Sequence, residues 1–244
     1  MRIFASVCYK GTNYFGWQKQ PNVISVQEVI ESKLSQYFNR PIVIYGAGRT
    51  DAGVHAFGQK FHFDIDKDEI DLDRLLYSIN MMLPNDIKIE DFQMVEDDFH
   101  ARYSAKSKIY SYTILQDSKD PFLYDTAYLH PIKIDAVELQ EVLTHFIGVH
   151  NFKNFTSKEE DDDNFVREIY DIVVSENRDL IYITLRGNGF MRYMIRFIIG
   201  TALQVVDKKL DVSKIDELLD ENSPREIANY KAPASGLTLI DVEY

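Results

Sequence analysis

A glycine-rich segment at residues 46–59, GAGRTDAGVHAFGQ, contains a single acidic residue, Asp51. Four glycines are spread through it, a composition typical of tight turns or of a loop that a ligand approaches closely. A phosphate-binding loop is one interpretation, but no Gly-Lys-Ser/Thr follows and a strand is predicted directly afterwards. A plain connector is another interpretation, and it leaves the acid unexplained.

Asp51 is isolated from other carboxylates, since no second Asp or Glu lies within ten residues of it. An enzyme that transfers phosphoryl groups through an aspartyl intermediate usually needs further acids nearby to hold magnesium. The lone acid therefore argues against phosphoryl transfer and calls for a different chemistry.

The central part of this segment, GRTDAGVHAFGQ, resembles the signature loop of the TruA-type tRNA pseudouridine synthases, whose single aspartate is the catalytic residue. Further segments resemble the same family in the same order, and together they cover essentially the whole chain. They are YKGTNYFGWQKQ (9–20), SVQE (25–28), DDFHARYSAKSKIYSY (97–112), GNGFMRYMIRFIIG (187–200) and PASGLTL (233–239).

When the functional residues of the family are placed on the matching positions of this sequence, the resemblance implies four site residues. Asp51 is the nucleophile, Tyr110 lies over the target uracil, and Arg49 and Arg196 are basic partners in the same pocket. Arg49 contacts a phosphate, fills the space left by the flipped base or forms a structural ion pair. The resemblance also implies a homodimer that clamps the anticodon arm of tRNA and modifies uridines 38, 39 and 40 without a cofactor or a membrane.

The residue types suit this reaction. Pseudouridine formation breaks the N1–C1′ bond, turns the base and rejoins it through C5, so the enzyme needs a group that attacks and then leaves. Aspartate, with a reference pKa of about 3.9, is ionised at neutral pH, and a nearby arginine opposes the rise in pKa that burial causes. The sequence leaves open whether Asp51 attacks C1′ of the ribose or C6 of the base.

An aromatic platform is expected for a uridine that has left its stem. Flipping costs a few kcal/mol, and stacking on an aromatic side chain returns about 1–3 kcal/mol. Tyr110 and Tyr112 lie two residues apart on a predicted strand and so share a face. The pattern alone is also typical of ordinary strand aromatics; the resemblance selects Tyr110 and leaves Tyr112 structural.

Two arginines interrupt the apolar stretch 190–206, which is predicted to be a helix. Arg192 and Arg196 are four residues apart and would share a helix face. Arg192 either reaches water or joins the site. Arg196, deeper in the apolar stretch, is expected to have a fixed carboxylate partner, and Asp51 is the candidate.

A non-catalytic RNA-binding module is the competing interpretation, because paired ferredoxin-like units with exposed aromatic residues resemble RRM architecture. Such a module requires no acid in a glycine-rich loop. Asp51 therefore favours the enzyme.

Hydrophobic periodicity predicts six elements in the first half, in the order βαββαβ. Ser25 and Glu28 mark the start of the first helix as in a capping box. The predicted strands lie at 2–9, about 41–45, about 59–65 and about 87–94, and the helices at about 25–38 and from Asp71.

The second half repeats this order with longer connections. Asp135 and Glu138 cap its first helix, which Gly148 is expected to end. A short extra helix at 212–219 precedes the last strand. The predicted strands lie at 108–115, about 168–175, about 180–186 and 238–244, and the main helices from Asp135 and at 190–206.

These elements predict an α+β protein of two tandem ferredoxin-like units, in which helices cover one face of largely antiparallel sheets and the polar face is left open. The resemblance identifies this as the pseudouridine synthase fold. The N-terminal unit, 1–104, carries the aspartate loop, and the C-terminal unit, 105–244, contributes Tyr110 and Arg196 to the active-site cleft.

The net charge of −12 is unusual for a protein that binds RNA, which is expected to be basic at least locally. Residues 46–60, 102–110 and 186–196 nevertheless hold eight basic residues and one acidic residue. Basic charge is therefore concentrated near the candidate site. The acidic run Glu159–Asp163 is expected to form a solvated loop.

Cys8 is the only cysteine, which excludes an intrachain disulfide and fits a reducing cytoplasm. The N-terminal residues lack a secretory signal pattern, and the arginines in the apolar stretch argue against a membrane span. His55 and His62 have no third ligand at a suitable spacing, so no metal is expected. We expect a cytoplasmic protein.

Overall fold

The structure, a computed structural model, describes residues 1–66, 70–116, 119–157 and 164–244. The chain folds into two compact units. One comprises residues 1–106 together with 238–244, and the other comprises residues 107–237. The acidic run 159–163 lies outside the described residues, so its solvated loop stays a prediction.

The first unit has the predicted βαββαβ order. Its sheet follows the order β4-β1-β3 with antiparallel pairing, and β2 also pairs antiparallel with β3. The elements are β1 (Arg2–Tyr9), α1 (Val26–Phe38), β2 (Tyr45–Gly46), β3 (His55–Asp64), α2 (Leu72–Met82) and β4 (Ile87–Val95).

The second unit has the first five main elements of this order, βαββα, and adds short elements, of which the sequence did not reveal β6 and β7. Its sheet follows the antiparallel order β5-β9-β8-β7, and β6 pairs in parallel with β5. The elements are β5 (Ser107–Gln116), β6 (Tyr128–His130), α3 (Ala136–Thr144), β7 (Gly148–Asn151), β8 (Val166–Asn177), β9 (Leu180–Gly187), α4 (Met194–Val206) and α5 (Ser213–Leu219).

Most of the last strand, β10 (Leu237–Glu243), falls in the first unit, which includes residues 238–244. It pairs in parallel with the start of β3, where Thr238 is opposite His55 and Leu239 is opposite Ala56. The predicted boundary, with 1–104 and 105–244 as the two units, stays a prediction. The α+β class with largely antiparallel sheets is confirmed.

The predicted helix caps are present. Ser25 accepts a hydrogen bond from the Glu28 amide at 3.3 Å, and Asp71 and Asp135 cap α2 and α3 in the same way. In the first unit, buried apolar residues of one face of β1 and of both helices form the core. They are Ile3, Ala5, Val7, Val26, Ile30, Leu34, Leu75 and Ile79.

The predicted strand at 41–45 is wrong, since only Tyr45–Gly46 has strand structure. The preceding amides bond to side chains of α1 instead of a neighbouring strand: Ile42 donates to Ser35 Oγ at 2.8 Å and Ile44 to Glu31 Oε1 at 3.1 Å. The segment therefore stays alongside the helix.

The polar sheet face of the first unit is partly covered, contrary to the prediction of an open face. The Phe4 ring packs edge-on against Phe99, with centroids 5.0 Å apart, and the Ala101 amide donates to His62 Nδ1 at 3.2 Å. Burial, aided by the charge of Arg2, lowers the pKa of His62 to about 4, so this nitrogen is an acceptor at neutral pH. The segment 97–104 thus lies across this face.

In the described part of the chain, no helix combines the length and the apolar character that crossing a membrane would require.

Candidate active site

Asp51 lies in the loop between β2 and β3, and its side chain is half-buried. The second half of the signature motif is already strand, because β3 begins at His55. Directly after Asp51 the chain makes a turn, closed by a hydrogen bond of 3.1 Å from the Val54 amide to the Asp51 carbonyl oxygen. The carboxylate is therefore presented by a short, constrained loop.

Three hydrogen bonds fix the loop to the end of β1 and to the segment that follows it. The Tyr9 hydroxyl bonds to Thr50 Oγ1 at 2.8 Å, the Trp17 amide donates to the Thr50 carbonyl at 3.1 Å, and the Gly53 amide donates to the Tyr14 carbonyl at 3.2 Å. Burial raises the pKa of Tyr9 far above its ordinary value, so its hydroxyl stays protonated. Thr50 and Gly53, which lie on either side of Asp51 in the loop, are thereby held in place.

Two glycines let this segment approach the loop. Gly16 has a left-handed φ of 86°, and a Cβ there would lie 2.5 Å from the Thr50 carbonyl oxygen; at Gly11 a Cβ would lie 2.0 Å from the Val54 carbonyl oxygen. Only glycine fits both positions without moving backbone. Sequence reasoning missed this support, although the signal was present as glycine in the YKGTNYFGW motif.

The indole of Trp17 packs against Gly46 at the start of the loop. Trp17 is 2% exposed, and a Cβ on Gly46 would lie 2.4 Å from its Nε1. Gln59 donates from Nε2 to the Gly48 carbonyl at 3.1 Å, and His55 accepts the Gly11 amide at Nδ1 at 3.0 Å. His55 therefore supports the loop backbone. No group of three or more His, Cys, Asp or Glu that could hold a metal occurs in the described ranges.

Arg49 is exposed at the surface of the first unit. Among the residues that the structure describes, no carboxylate forms an ion pair with it, so the structural ion pair considered from the sequence is not formed here. Its guanidinium is accessible to an anionic group of a substrate.

Tyr110 and Tyr112 both lie on β5 in the second unit, as predicted. Tyr110 is 8% exposed, and its ring meets the Phe190 ring edge-on at a centroid distance of 5.4 Å. Phe190, which sequence reasoning did not single out, thus orients the candidate platform. Tyr112 is fully buried and donates its hydroxyl proton to the Pro233 carbonyl at 2.9 Å.

We expect the Tyr112→Phe variant to lower the free energy of unfolding by about 1 kcal/mol, the usual net contribution of one hydrogen bond, and to leave catalysis unchanged. Urea unfolding and turnover of tRNA measure the two quantities. A loss of turnover without a loss of stability would show that Tyr112 takes part in the chemistry.

Arg196 lies in the first turn of α4 and is half-buried. Its Nε donates to the Ala232 carbonyl at 2.7 Å, and the Ala232 amide donates back to the Arg196 carbonyl at 2.9 Å. These bonds tie the helix start to the segment before β10. The proposed pairing of Arg196 with Asp51 stays a prediction, because the two residues belong to different units.

Arg192 does not share a helix face with Arg196, because α4 begins only at Met194. Tyr193 takes a left-handed conformation with φ 63° and ends the irregular segment before the helix. Arg192 is exposed and donates from Nη2 to the Tyr193 hydroxyl at 3.0 Å. The prediction of a helix from residue 190 is therefore wrong by one turn.

The sequence profile of a family described as tRNA pseudouridine synthase matches residues 5–104 and 142–244. The chain is 40% identical over 243 residues to the tRNA pseudouridine synthase A of Caldicellulosiruptor saccharolyticus, with 99% of each chain covered. It is 38% identical over 238 residues to the protein of the same name from Acetivibrio thermocellus, with 97% of this chain and 96% of that one covered.

Among solved structures, a chain in a crystal structure of a Cbf5-Nop10-Gar1 complex aligns with a TM-score of 0.38 and 10% identity, covering 83% of this chain and 54% of that one. This likeness is too distant to carry an argument.

Proposed function

This chain belongs to the tRNA pseudouridine synthase family, and we propose that it isomerises uridines 38, 39 and 40 of the anticodon arm with Asp51 as the nucleophile. The family makes the chain an isomerase of tRNA uridine. The positions modified, the nucleophile and the partner residues are the finer parts of the proposal.

The observation that carries the proposal is the way in which Asp51 is presented. Its loop is held from one side by buried Tyr9 and Trp17, and the close approach needs glycine at residues 11 and 16. A half-buried carboxylate on a rigid loop loses little freedom when a uridine arrives, which is how positioning lowers a reaction barrier.

The reaction balances without any other reagent. The carboxylate of Asp51 adds either to C1′ of the ribose or to C6 of the base, and the N1–C1′ bond breaks. The base turns, C5 bonds to C1′, and the carboxylate leaves. The proton on C5 is released to solvent, and N1 takes up a proton, so the product is an isomer of the substrate.

The remaining site residues follow from what each can do. Arg196 is proposed to keep the nucleophile ionised, because a guanidinium lowers the pKa of a nearby carboxyl. Arg49, exposed two residues before the nucleophile, is proposed to contact a phosphate of the flipped nucleotide. Tyr110 is proposed to support the uracil ring, with Phe190 fixing its orientation.

We further propose that the protein acts as a homodimer in the cytoplasm, as the resemblance implies. A dimer of an acidic chain needs its basic residues concentrated on the surface that meets RNA. Sedimentation of the protein alone, and with tRNA at one molecule per dimer, tests whether the protein is a homodimer.

The experiment for the proposed function maps pseudouridine in an unmodified tRNA transcript after incubation with the chain. Transcripts carry uridine at only one of positions 38, 39 and 40, and a transcript without uridine at all three serves as the control. We expect product at each of the three positions and none in the control. Binding of the transcripts without any product would support the RNA-binding module instead.

Tyr110 gives a test of the aromatic platform. Tyr110→Phe keeps the ring and its contact with Phe190, whereas Tyr110→Leu fills the buried space without an aromatic face. Since stacking is worth about 1–3 kcal/mol, we expect kcat/KM to fall at least about fivefold for Tyr110→Leu and to stay within a few-fold for Tyr110→Phe. Equal turnover of the two variants would make Tyr110 a structural residue.

A further inference from the structure

Three cationic side chains surround the ring of Tyr193 in the second unit. The Lys231 ammonium lies 3.8 Å from the ring centroid, and the guanidinium carbons of Arg192 and Arg196 lie 4.8 Å and 5.4 Å from it. The residues come from two separate segments, one at the start of α4 and one before β10. We call Arg192, Tyr193 and Lys231 the Tyr193 cluster.

The backbone at Tyr193 has a strained conformation. Its φ of 63° is left-handed, which is rare for a bulky side chain and costs about 1–2 kcal/mol. The Met194 amide bonds to the Met191 carbonyl at 3.1 Å, and the Phe197 amide to the Tyr193 carbonyl at 3.0 Å, so the flanking chain enforces the conformation. Strain of this kind persists mainly where function requires it.

The charges of the cluster are not balanced within the described part of the chain. Arg192 and Lys231 are both exposed, and in residues 1–66, 70–116, 119–157 and 164–244 neither forms an ion pair with a carboxylate. A ring face attracts each cation by about 0.5–1 kcal/mol at an exposed site, but the like charges repel each other. An anion bound by both side chains would reduce this repulsion.

The chemistry of the two cations favours a phosphodiester. The Tyr193 hydroxyl accepts one guanidinium N–H of Arg192 at 3.0 Å. The other N–H donors of this group form a fork that matches phosphate oxygens. The ammonium of Lys231 supplies a point charge on the other segment. The pair thus provides one oriented donor and one adaptable donor.

We propose that the Tyr193 cluster binds a backbone phosphate of the substrate RNA, close to the nucleotide that reacts. The inference rests on the proposed function, since Arg196 on the same ring is there assigned to the nucleophile. Arg192 and Lys231 bind and position the RNA and do not touch the reacting atoms.

The test measures the dissociation constant of a tRNA transcript as a function of salt. Each lost phosphate contact reduces the slope of log Kd against log salt by about 0.7–0.9. We expect this reduction for Arg192→Gln and for Lys231→Gln, and about twice as much for the double variant. Kd at physiological salt should rise up to about fivefold per substitution, while kcat at saturating tRNA stays unchanged.

Two controls accompany the variants. Lys133→Gln removes an exposed lysine of the same unit outside the cluster and should leave the slope as it is, and Arg192→Lys keeps the charge and should retain the slope. The proposal is overturned if the double variant has the slope and Kd of Lys133→Gln, or if kcat at saturation falls while the slope is unchanged. Product formation by the unsubstituted chain tests the isomerase separately, so the two proposals can fail independently.

Discussion

The Asp51→Asn variant is expected to bind tRNA as tightly as the unsubstituted chain and to form no detectable pseudouridine. Asparagine has nearly the same shape, but its neutral amide is a poor nucleophile. The hydrogen bonds made by the Thr50 side chain and by the backbone of Thr50, Gly53 and Val54 do not involve the Asp51 carboxylate, so the substitution leaves these bonds intact. We expect kcat to fall on the order of 10⁴-fold or more, the scale seen when members of a catalytic group are removed.

Asp51→Glu is the matched control, since it keeps the carboxylate and moves it outward by one methylene. A displacement of about 1 Å from productive geometry costs on the order of 10²-fold in rate, so residual product is expected from this variant. Nucleoside analysis of digested tRNA measures both. Product from Asp51→Asn at or above the level of Asp51→Glu would remove the nucleophile assignment.

Gly16→Ala is expected to damage both stability and turnover, although residue 16 touches no substrate in the proposal. Its Cβ would lie 2.5 Å from the Thr50 carbonyl oxygen, and the φ of 86° disfavours any side chain. We expect the free energy of unfolding to fall by about 2–4 kcal/mol. Because Thr50 adjoins the nucleophile, we also expect kcat to fall about 10²-fold.

Gly189→Ala serves as the comparison for the same chemical change, because a Cβ at residue 189 meets nothing within 4 Å. Its stability should stay within about 0.5 kcal/mol of the unsubstituted chain. Urea unfolding and single-turnover rates, measured for both variants, separate the two cases. Equal stability and rate would show that the loop does not depend on the close approach of Gly16.

The parts of the fold that were predictable are those fixed by local sequence. Ser25, Asp71 and Asp135 begin helices because each side chain can accept an amide of the first turn. The N-terminal strand β1 was also predicted, although residues 3–7 are buried on both of its faces. Asp51 was selected as the candidate nucleophile because an isolated acid in a glycine-rich loop matches a long family motif, and its role stays a prediction.

The parts that could not be predicted depend on distant partners. Residues 41–44 look like a strand, yet Ser35 and Glu31 satisfy two of their amides. The start of α4 is delayed by the left-handed Tyr193, which no periodicity reveals. The last strand pairs in parallel with the start of β3, a pairing that no local pattern indicates.

The support of the candidate site was equally hidden. Gly11 and Gly16 appear in the sequence as ordinary turn residues, and their role follows only from the carbonyl oxygens of Val54 and Thr50 that they admit. Trp17, the only tryptophan, is buried beneath the loop.

The most direct test of the nucleophile is tritium release from tRNA labelled at C5 of uracil, because this proton leaves only when the base has been rejoined through C5. We predict release that approaches the number of modified uridines for the unsubstituted chain and none for Asp51→Asn at equal occupancy of tRNA. Equal release from both proteins would contradict the account.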